Sequence, residues 1–284
     1  MEIVSLLKET AANFSRHKGP WMAAAIAYFT MLAIAPLIIV IVEIAGAFLG
    51  QHEAVQDQLY QYLAQSAGQS AEMGVRSIVT STFDRHNAGI LAEIISWTII
   101  VLAAIGLFTA LQSALNTVWD VDSKTQPLIA AIRSRAVALA VVLFIALLLM
   151  VLLGIDAVLN TSSVFPAVSK IGQFLVSFIL TAAAFTVLFA FLPETRVEWR
   201  SVWLGAIITA LLFVVGQFVL GWYLGRAALS STYGAFGGLV AFLVWVNYSA
   251  QIVLLGAEFT HVLATRHPPG GLFVPSGRIA KDDG

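Results

Sequence analysis

Residues 235–263 read AFGGLVAFLVWVNYSAQIVLLGAEFTHVL, and the stretch holds one Asp, Glu, Lys or Arg side chain, Glu258, in 29 positions. A helix that crosses the hydrocarbon core of a bilayer needs about 20 mostly apolar residues. Backbone N–H and C=O groups in lipid must bond within their own segment, so a stretch of this kind forms a helix. We therefore predict an integral membrane protein.

Five more stretches meet the same criterion, at residues 21–49, 90–112, 136–159, 171–192 and 201–224. The chain of 284 residues is 59% hydrophobic and 11% charged, whereas soluble domains carry about 25% charged residues. Too few charges are present to coat a soluble surface. The expected fold is an all-α integral membrane protein with six transmembrane helices, formed by one domain over residues 1–284.

The positions of the basic residues predict the orientation in the membrane. Eleven of the fifteen Lys and Arg residues lie in the two tails and in the second and fourth loops, and four lie on the other side. Basic residues in short loops favour the cytoplasm. Both tails, residues 1–20 and 265–284, are therefore expected in the cytoplasm. Lys8, Arg16 and Lys18 precede the first apolar run without a cleavage site, so we expect the first span to be retained.

Two segments outside the spans have amphipathic patterns. In the N-terminal tail, Ile3, Leu6, Leu7 and Phe14 recur at helical spacing, which predicts a helix that lies in the inner interface or packs on the bundle. Residues 51–89 form the first outer loop and show similar spacing on both sides of Gly68. We predict a helical hairpin there that caps the outer face.

The last span carries a polar stripe. Asn247, Gln251, Glu258 and His261 are separated by 4, 7 and 3 positions, so they fall within a sector about 80° wide at 100° per residue. The stripe could line a path for an ion or a polar headgroup, with Glu258 as the proton or cation acceptor. It could equally form hydrogen bonds between helices, with Glu258 and His261 near the inner interface.

The first span contains two more candidates, Tyr28 and Pro36. A proline inside a helix removes one backbone donor and clashes with the carbonyl group four residues earlier, so a kink near mid-membrane is expected at Pro36. Such a kink can gate a path, although most kinks only shape packing. Gly234, in a short loop rich in Ser and Gly, is the second candidate for a kink or gate.

The end of the second span is also polar on one side. Thr109, Gln112, Asn116 and Trp119 lie at helical spacing as the helix approaches the cytoplasm. Gln112 and Asn116 are candidates for the polar path. The favoured interpretation is an interface anchor in which Trp119 is an aromatic belt residue.

The sequence lacks the residues that several kinds of catalytic and metal-binding site require. Without cysteine, the chain has no thiolate metal site or cysteine nucleophile. Neither a phosphate-binding glycine loop nor a G-x-S-x-G nucleophile elbow is present. We expect no enzyme activity, no metal and no cofactor, and the net charge of -1 predicts no nucleic-acid partner. The histidines are scattered over both predicted sides, at His17, His52, His86, His261 and His267.

Four blocks of the sequence resemble the YihY/BrkB family of bacterial inner-membrane proteins, once named ribonuclease BN. They are AAAIAYFTMLAIAPL at 23–37, LQSALNTVWDV at 111–121, LPETRVEWRSVWLGA at 192–206 and STYGAFGGLVAFLVWVNYSAQIVLLGAEF at 231–259. The resemblance implies a six-helix fold in the bacterial inner membrane. It also implies that the ribonuclease label is a misassignment, since members have been linked to envelope lipid export, serum resistance or cation/proton exchange. Candidates from these blocks are Tyr28, Pro36, Asn116, Trp119, Tyr233, Gly234, Trp245 and Glu258.

Three functions are compatible with these observations. The leading hypothesis is a transporter without its own ATPase domain, which moves a lipid or lipid-linked envelope component through a polar groove lined by the first, second and last spans. The second is cation/proton exchange in which Glu258 titrates. The third is an envelope scaffold in which the stripe only holds helices together. The expected partners are membrane lipids and a lipid or ion substrate, and the oligomeric state stays open.

Overall fold

A computed structural model describes residues 2–49, 52–84, 90–121, 166–195, 197–226 and 237–266. These residues form eight α-helices and no β-strand, which confirms the all-α fold class. The helices are α1 (Glu2–Arg16), α2 (Gly19–Leu49), α3 (His52–Ala67), α4 (Gln69–Asp84), α5 (Ile90–Val118), α6 (Pro166–Phe191), α7 (Trp199–Arg226) and α8 (Gly237–Arg266).

Five of the six predicted spans fall on described helices, namely α2, α5, α6, α7 and α8. The predicted span at 136–159 lies outside the described residues, as do Tyr233 and Gly234. Within the described ranges, three helical stretches are long and apolar enough to cross a membrane, Phe174–Phe191, Trp199–Tyr223 and Gly237–Arg266, and shorter apolar stretches lie at Gly19–Ile34 and Ile105–Val118. The chain is an all-α membrane protein.

Helices α7 and α8 pack against each other in antiparallel fashion at two pairs of glycine and threonine. A Cβ atom added to Gly205 of α7 would overlap the Thr260 side chain of α8, and one added to Gly256 of α8 would overlap Thr209 of α7. Each threonine hydroxyl donates at 2.7 Å to the carbonyl of the glycine four residues before it. The hydroxyl groups are thus satisfied within their own helices, and the small residues let the two backbones approach closely.

The predicted hairpin is confirmed, and it packs on the first turns of α8. Gly68, at φ 88°, separates α3 from α4 in a backbone conformation that glycine adopts without steric cost. A Cβ atom on Gly74 of α4 would lie 2.6 Å from the carbonyl carbon of Gly238. Val75 of α4 and Phe242 of α8 are buried in the same apolar cluster. We call this side of the molecule the hairpin end.

Helix α1 docks at the other end of α8. The guanidinium group of Arg266 pairs with the Glu9 carboxylate and donates to the Ser5 hydroxyl at 2.9 Å. Val4 and Leu7 remain exposed on α1, so the helix keeps an apolar surface that is not covered by the bundle. We call the side formed by α1, the last turn of α5 and the last turn of α8 the basal end.

Exposed aromatic side chains mark two levels along α7. Trp199 and Trp203 are exposed near its basal end, and Trp222 and Tyr223 near its hairpin end. Trp203 and Trp222 are 19 residues apart, about 28 Å along a helix. That separation matches the hydrocarbon thickness of about 30 Å, and aromatic residues concentrate at both of its boundaries. The exposed residues between these levels are apolar, including Leu204, Ile207, Leu211 and Val215.

The α7–α8 contact predicts unequal effects for one substitution at two helical glycines. Gly256→Ala should lower the midpoint of thermal unfolding in detergent, because the added methyl group overlaps Thr209. Overpacking of this kind costs about 1–3 kcal/mol. Gly172→Ala in α6 is the control, since a Cβ atom there meets nothing within 4 Å. Equal unfolding midpoints for the two variants would contradict the proposed packing.

Candidate functional site

The site is centred on Glu258, whose side chain is completely buried in α8. Its Oε1 atom lies 2.6 Å from Nδ1 of His17, a residue 241 positions earlier in the chain. The His17 side chain is 9% exposed. A carboxyl group and an imidazole at this distance share a hydrogen-bonded proton, and a charged partner strengthens such a bond.

His17 reaches Glu258 because the chain reverses sharply between α1 and α2. The N–H of His17 still bonds to the Asn13 carbonyl at 2.8 Å, and Lys18 then adopts a left-handed backbone with φ 56°. The Lys18 carbonyl accepts the first bonds of α2, from the N–H groups of Trp21 and Met22. The left-handed conformation costs a non-glycine residue about 1–2 kcal/mol. The turn therefore places His17 at a fixed position against α8.

A second reversal, after α5, brings Asp120 to the other side of His17. Asp120 has φ 50°, and the N–H of Val121 bonds to the Asn116 carbonyl at 2.9 Å, as in a Schellman C-cap. The Asp120 Oδ1 atom lies 3.4 Å from Nε2 of His17, and Nη2 of Arg16 lies 3.3 Å from the same nitrogen. The imidazole thus connects the buried carboxyl group of Glu258 with the exposed carboxylate of Asp120 and the exposed guanidinium group of Arg16.

This arrangement accommodates more than one protonation state. When Arg16 donates to Nε2, His17 is neutral and its Nδ1–H donates to Glu258. When both ring nitrogens are protonated, Nε2–H points to Asp120 and Nδ1–H still donates to Glu258. When Glu258 carries the proton, its hydroxyl donates to Nδ1. The pair can therefore exchange a proton while its 2.6 Å contact is kept.

His261 and Trp119 complete the site. His261 lies one turn after Glu258 on α8, and its ring centroid is 5.1 Å from that of Trp119 at the end of α5. Three side-chain atoms of the site are buried without a hydrogen-bond partner among the described residues, namely Glu258 Oε2, His261 Nδ1 and Trp119 Nε1. The inner part of the site therefore combines an acceptor, a donor and a nitrogen that can act as either.

The contact with α7 gives the depth of Glu258. Thr260 of α8 contacts Gly205 of α7, and Gly205 follows the exposed Trp203 by two residues. Glu258 is two residues deeper than Thr260, so it lies about 6 Å from the level of Trp203 at 1.5 Å per residue. The carboxyl group is thus about one helical turn inside the aromatic level at the basal end.

A sequence profile described as virulence factor BrkB matches residues 10–273, which is more than nine-tenths of the chain. The chain belongs to the BrkB virulence-factor family. The matched range includes all five residues of the site described above, namely His17, Trp119, Asp120, Glu258 and His261.

The curated relatives of the chain are bacterial proteins, and two of the three described below are named as membrane proteins. A UPF0761 membrane protein of Alkalilimnicola ehrlichii is 29% identical over 284 residues, covering 95% of this chain and 61% of the relative. One from Mannheimia succiniciproducens is 25% identical, covering 88% of this chain and 86% of the relative. The ribonuclease-like protein YfkH of Bacillus subtilis is 27% identical, covering 93% of this chain and 96% of the relative.

The chain spans about three fifths of the length of the first of these relatives. No solved structure matches the chain. The assignment of the chain to this family of membrane proteins thus rests on sequence similarity that extends over most of the chain.

Two other predicted residues on α5, Gln112 and Asn116, hold the connection between α6 and α7. Oδ1 of Asn116 accepts the backbone N–H of Glu194 at 2.9 Å, and Nε2 of Gln112 donates to the Glu194 carboxylate at 3.2 Å. These bonds tie the end of α5 to the connection between α6 and α7. Trp119, which was predicted as a belt residue, packs its ring against His261 and buries its Nε1.

The polar stripe on α8 is divided into two groups. Nε2 of Gln251 donates to Oδ1 of Asn247 at 2.7 Å, so these amides pair with each other. Glu258 and His261 instead face the partners at the basal end. The stripe therefore lies on one side of α8, but its two halves make separate contacts.

The candidates on α2 lie apart from Glu258. Tyr28 is 58% exposed, whereas Glu258 is buried. Helix α2 runs through Pro36 as one helix from Gly19 to Leu49. Gly234 is outside the described residues. The structure thus joins Glu258 and His261 in one site and places Tyr28 on the outer surface.

Two residues of the site, His17 and Asp120, were missed by the sequence analysis. His17 lies between Arg16 and Lys18 and was counted only among scattered histidines. One signal was available, since a histidine directly before the first span is placed where a titratable group can meet the end of another helix. No spacing rule connects it with Glu258.

The buried pair predicts a strong coupling between two positions. His17→Leu should lower the free energy of unfolding by about 3–5 kcal/mol, because it leaves the buried Glu258 carboxylate without its partner. The double variant His17→Leu with Glu258→Leu should recover most of that loss. Thermal unfolding in one detergent for both single variants and the double variant gives the coupling energy, and additive effects would contradict the pairing.

Proposed function

We propose that this BrkB-family chain is a secondary transporter in which proton binding at the His17–Glu258 pair is linked to substrate movement. The observation that carries the proposal is a completely buried glutamate in a membrane bundle, bonded through one oxygen to a histidine. Ionisable side chains within membrane spans are costly and commonly mark proton or ion pathways. The other His17 nitrogen faces Asp120 and Arg16, which gives the pair a connection to exposed charges.

The contacts around the pair link its protonation to the position of α1. Helix α1 is attached to α8 by the His17–Glu258 bond, by the partly exposed pair of Arg266 and Glu9, and by the Arg266–Ser5 hydrogen bond. Phe14 of α1 also packs against the apolar cluster that includes Ala257 of α8. Exposed ion pairs contribute only about 0–1 kcal/mol, whereas the His17–Glu258 bond is formed by a buried carboxyl group. A change in the protonation of Glu258 therefore alters a buried contact between the α1–α2 turn and α8. Among the described residues, the other charged or titratable groups near Glu258 are Arg16, Asp120 and His261.

We also propose that the basal end faces the cytoplasm of a bacterial cell, so that both termini lie on the cytoplasmic side of the inner membrane. The motivation is the excess of Lys and Arg in the segments assigned to that side. Protons would then reach Glu258 from the cytoplasm through the α1–α2 turn. Cation/proton exchange is the simplest transport reaction that this arrangement supports.

A second candidate is movement of a lipid or lipid-linked envelope component, and the position of Tyr28 favours it. Tyr28 follows the exposed Trp21 by seven residues, so both lie on one exposed side of α2. The separation places the phenol about 10 Å deeper than Trp21 along the helix. A hydroxyl group exposed at that depth is suited to contact a polar headgroup that enters the hydrocarbon region.

Exchange activity is tested in proteoliposomes that enclose a pH-sensitive dye and carry a potassium or sodium gradient. The natural chain should move protons in response to one of these gradients. Glu258→Gln removes the titrating group at nearly constant volume and should reduce the flux to the level of protein-free liposomes. Glu9→Gln is the matched control, because this carboxylate lies at the same end but is partly exposed. Full flux in Glu258→Gln would overturn the assigned role.

Lipid movement is tested in the same vesicles by leaflet exchange of a fluorescent phospholipid. If lipid is the substrate, exchange should require Glu258 and should slow in Tyr28→Phe, which keeps the ring and removes the hydroxyl. Glu9→Gln should exchange lipid at the natural rate. Absence of both ion flux and lipid exchange would favour the scaffold interpretation, for which a stoichiometric protein partner should co-purify with the chain.

A further inference from the structure

Three polar atoms at the basal end have no bonding group from the protein within the described ranges. They are Oε2 of Glu258, Nδ1 of His261 and Nε1 of Trp119, and all three are buried. Buried polar atoms in folded proteins nearly always bond to another group or to an ordered water molecule. The side chain of Glu258 is completely buried, so bulk solvent does not satisfy its second oxygen.

The three atoms belong to side chains that are close together. Glu258 and His261 are one turn apart on the same side of α8, which brings their Cβ atoms to about 5–6 Å. The ring of Trp119 lies 5.1 Å from that of His261, tilted by 55°. His17 uses the other carboxylate oxygen, Oε1, so Oε2 remains available for a second partner.

The chemistry of these atoms selects the kind of group that can bind between them. A carboxylate oxygen accepts hydrogen bonds, an indole N–H donates one, and an imidazole nitrogen does either, depending on its tautomer. A hydroxyl group complements all three, because its oxygen accepts from the indole and its hydrogen is donated to the carboxylate. A bare cation offers no acceptor for the Trp119 N–H. A halide offers no donor for Glu258.

We propose that Trp119, Glu258 and His261 form a binding site for one hydroxyl group, supplied either by a water molecule or by the alcohol of a bound lipid. Occupation of the site connects Asp120, His17, Glu258 and His261 in one hydrogen-bonded chain. The inference rests on the contacts of these side chains and does not require that the chain transports a substrate.

Trp245 provides an internal control. Its Nε1 is also buried without a partner among the described residues, but its ring stacks on Phe242 with centroids 6.1 Å apart. Trp245 precedes Glu258 by 13 positions on α8, about 20 Å along the helix. A change at Glu258 should therefore alter the surroundings of Trp119 and leave those of Trp245 as they are.

The test is brief X-ray radiolysis of the full chain in nanodiscs, in water enriched in heavy oxygen, followed by mass spectrometry. An ordered water beside an indole ring transfers its label to that ring. Trp119 should be labelled in the natural chain, and the label should fall to background in Glu258→Leu while that of Trp245 is unchanged. If Glu258→Leu does not fold, His261→Leu should give the same loss, because it keeps the His17–Glu258 bond.

The lipid source is distinguished by the lipids that co-purify with each variant. A lipid that accompanies the natural chain and is lost from His261→Leu, with Trp119 unlabelled, would assign the hydroxyl to a lipid. Trp119 labelling that is the same in the natural chain and in both variants would overturn the site. Absence of both the label and the bound lipid would also overturn it. Ion flux is measured in a separate experiment. If the transport proposal fails, the labelling and lipid results still test the hydroxyl site.

Discussion

The contact between α7 and α8 is the interaction on which the rest of the structure depends. In lipid, helices gain little from hydrophobic burial, so close packing at small residues has a large share in their association. Gly205 and Thr260 form one such contact, and Gly256 and Thr209 form the other. Glu258 is two positions from both Gly256 and Thr260, about 200° around the helix. Packing α8 on α7 therefore turns Glu258 away from α7, towards the α1–α2 turn.

Burial of Glu258 explains the two unusual turns at the basal end. A carboxyl group without partners would be costly at this depth, and His17 and Asp120 reach the site through sharp reversals of the chain. Lys18 and Asp120 are the two non-glycine residues with positive φ in the described part of the chain. Backbone strain of this kind persists where the surroundings enforce it, and it concentrates at functional sites. Here both strained residues adjoin the same imidazole.

The two ends of α8 differ in chemistry. At the hairpin end, α4 and α8 meet at Gly74 and Gly238 within an apolar cluster. At the basal end, the helix meets an imidazole, an indole and charged side chains. This asymmetry fits a membrane protein that is closed by packing on one side and holds the buried carboxyl group of Glu258 near the other. Both ends lie within the residues that match the BrkB family.

The sequence by itself determined the membrane class, the helical fold, the hairpin around Gly68, and Glu258 with His261 as polar residues on one side of the last span. These properties follow from local composition and from the helical period, which act within one segment. Only the tertiary structure decided that Glu258 bonds to His17 and that Trp119 faces His261. Those contacts depend on how each helix is rotated and on two chain reversals. The rotation of α8 is set by a glycine and a threonine, Gly256 and Thr260, on the face opposite Glu258. No pattern within the polar stripe reveals that contact.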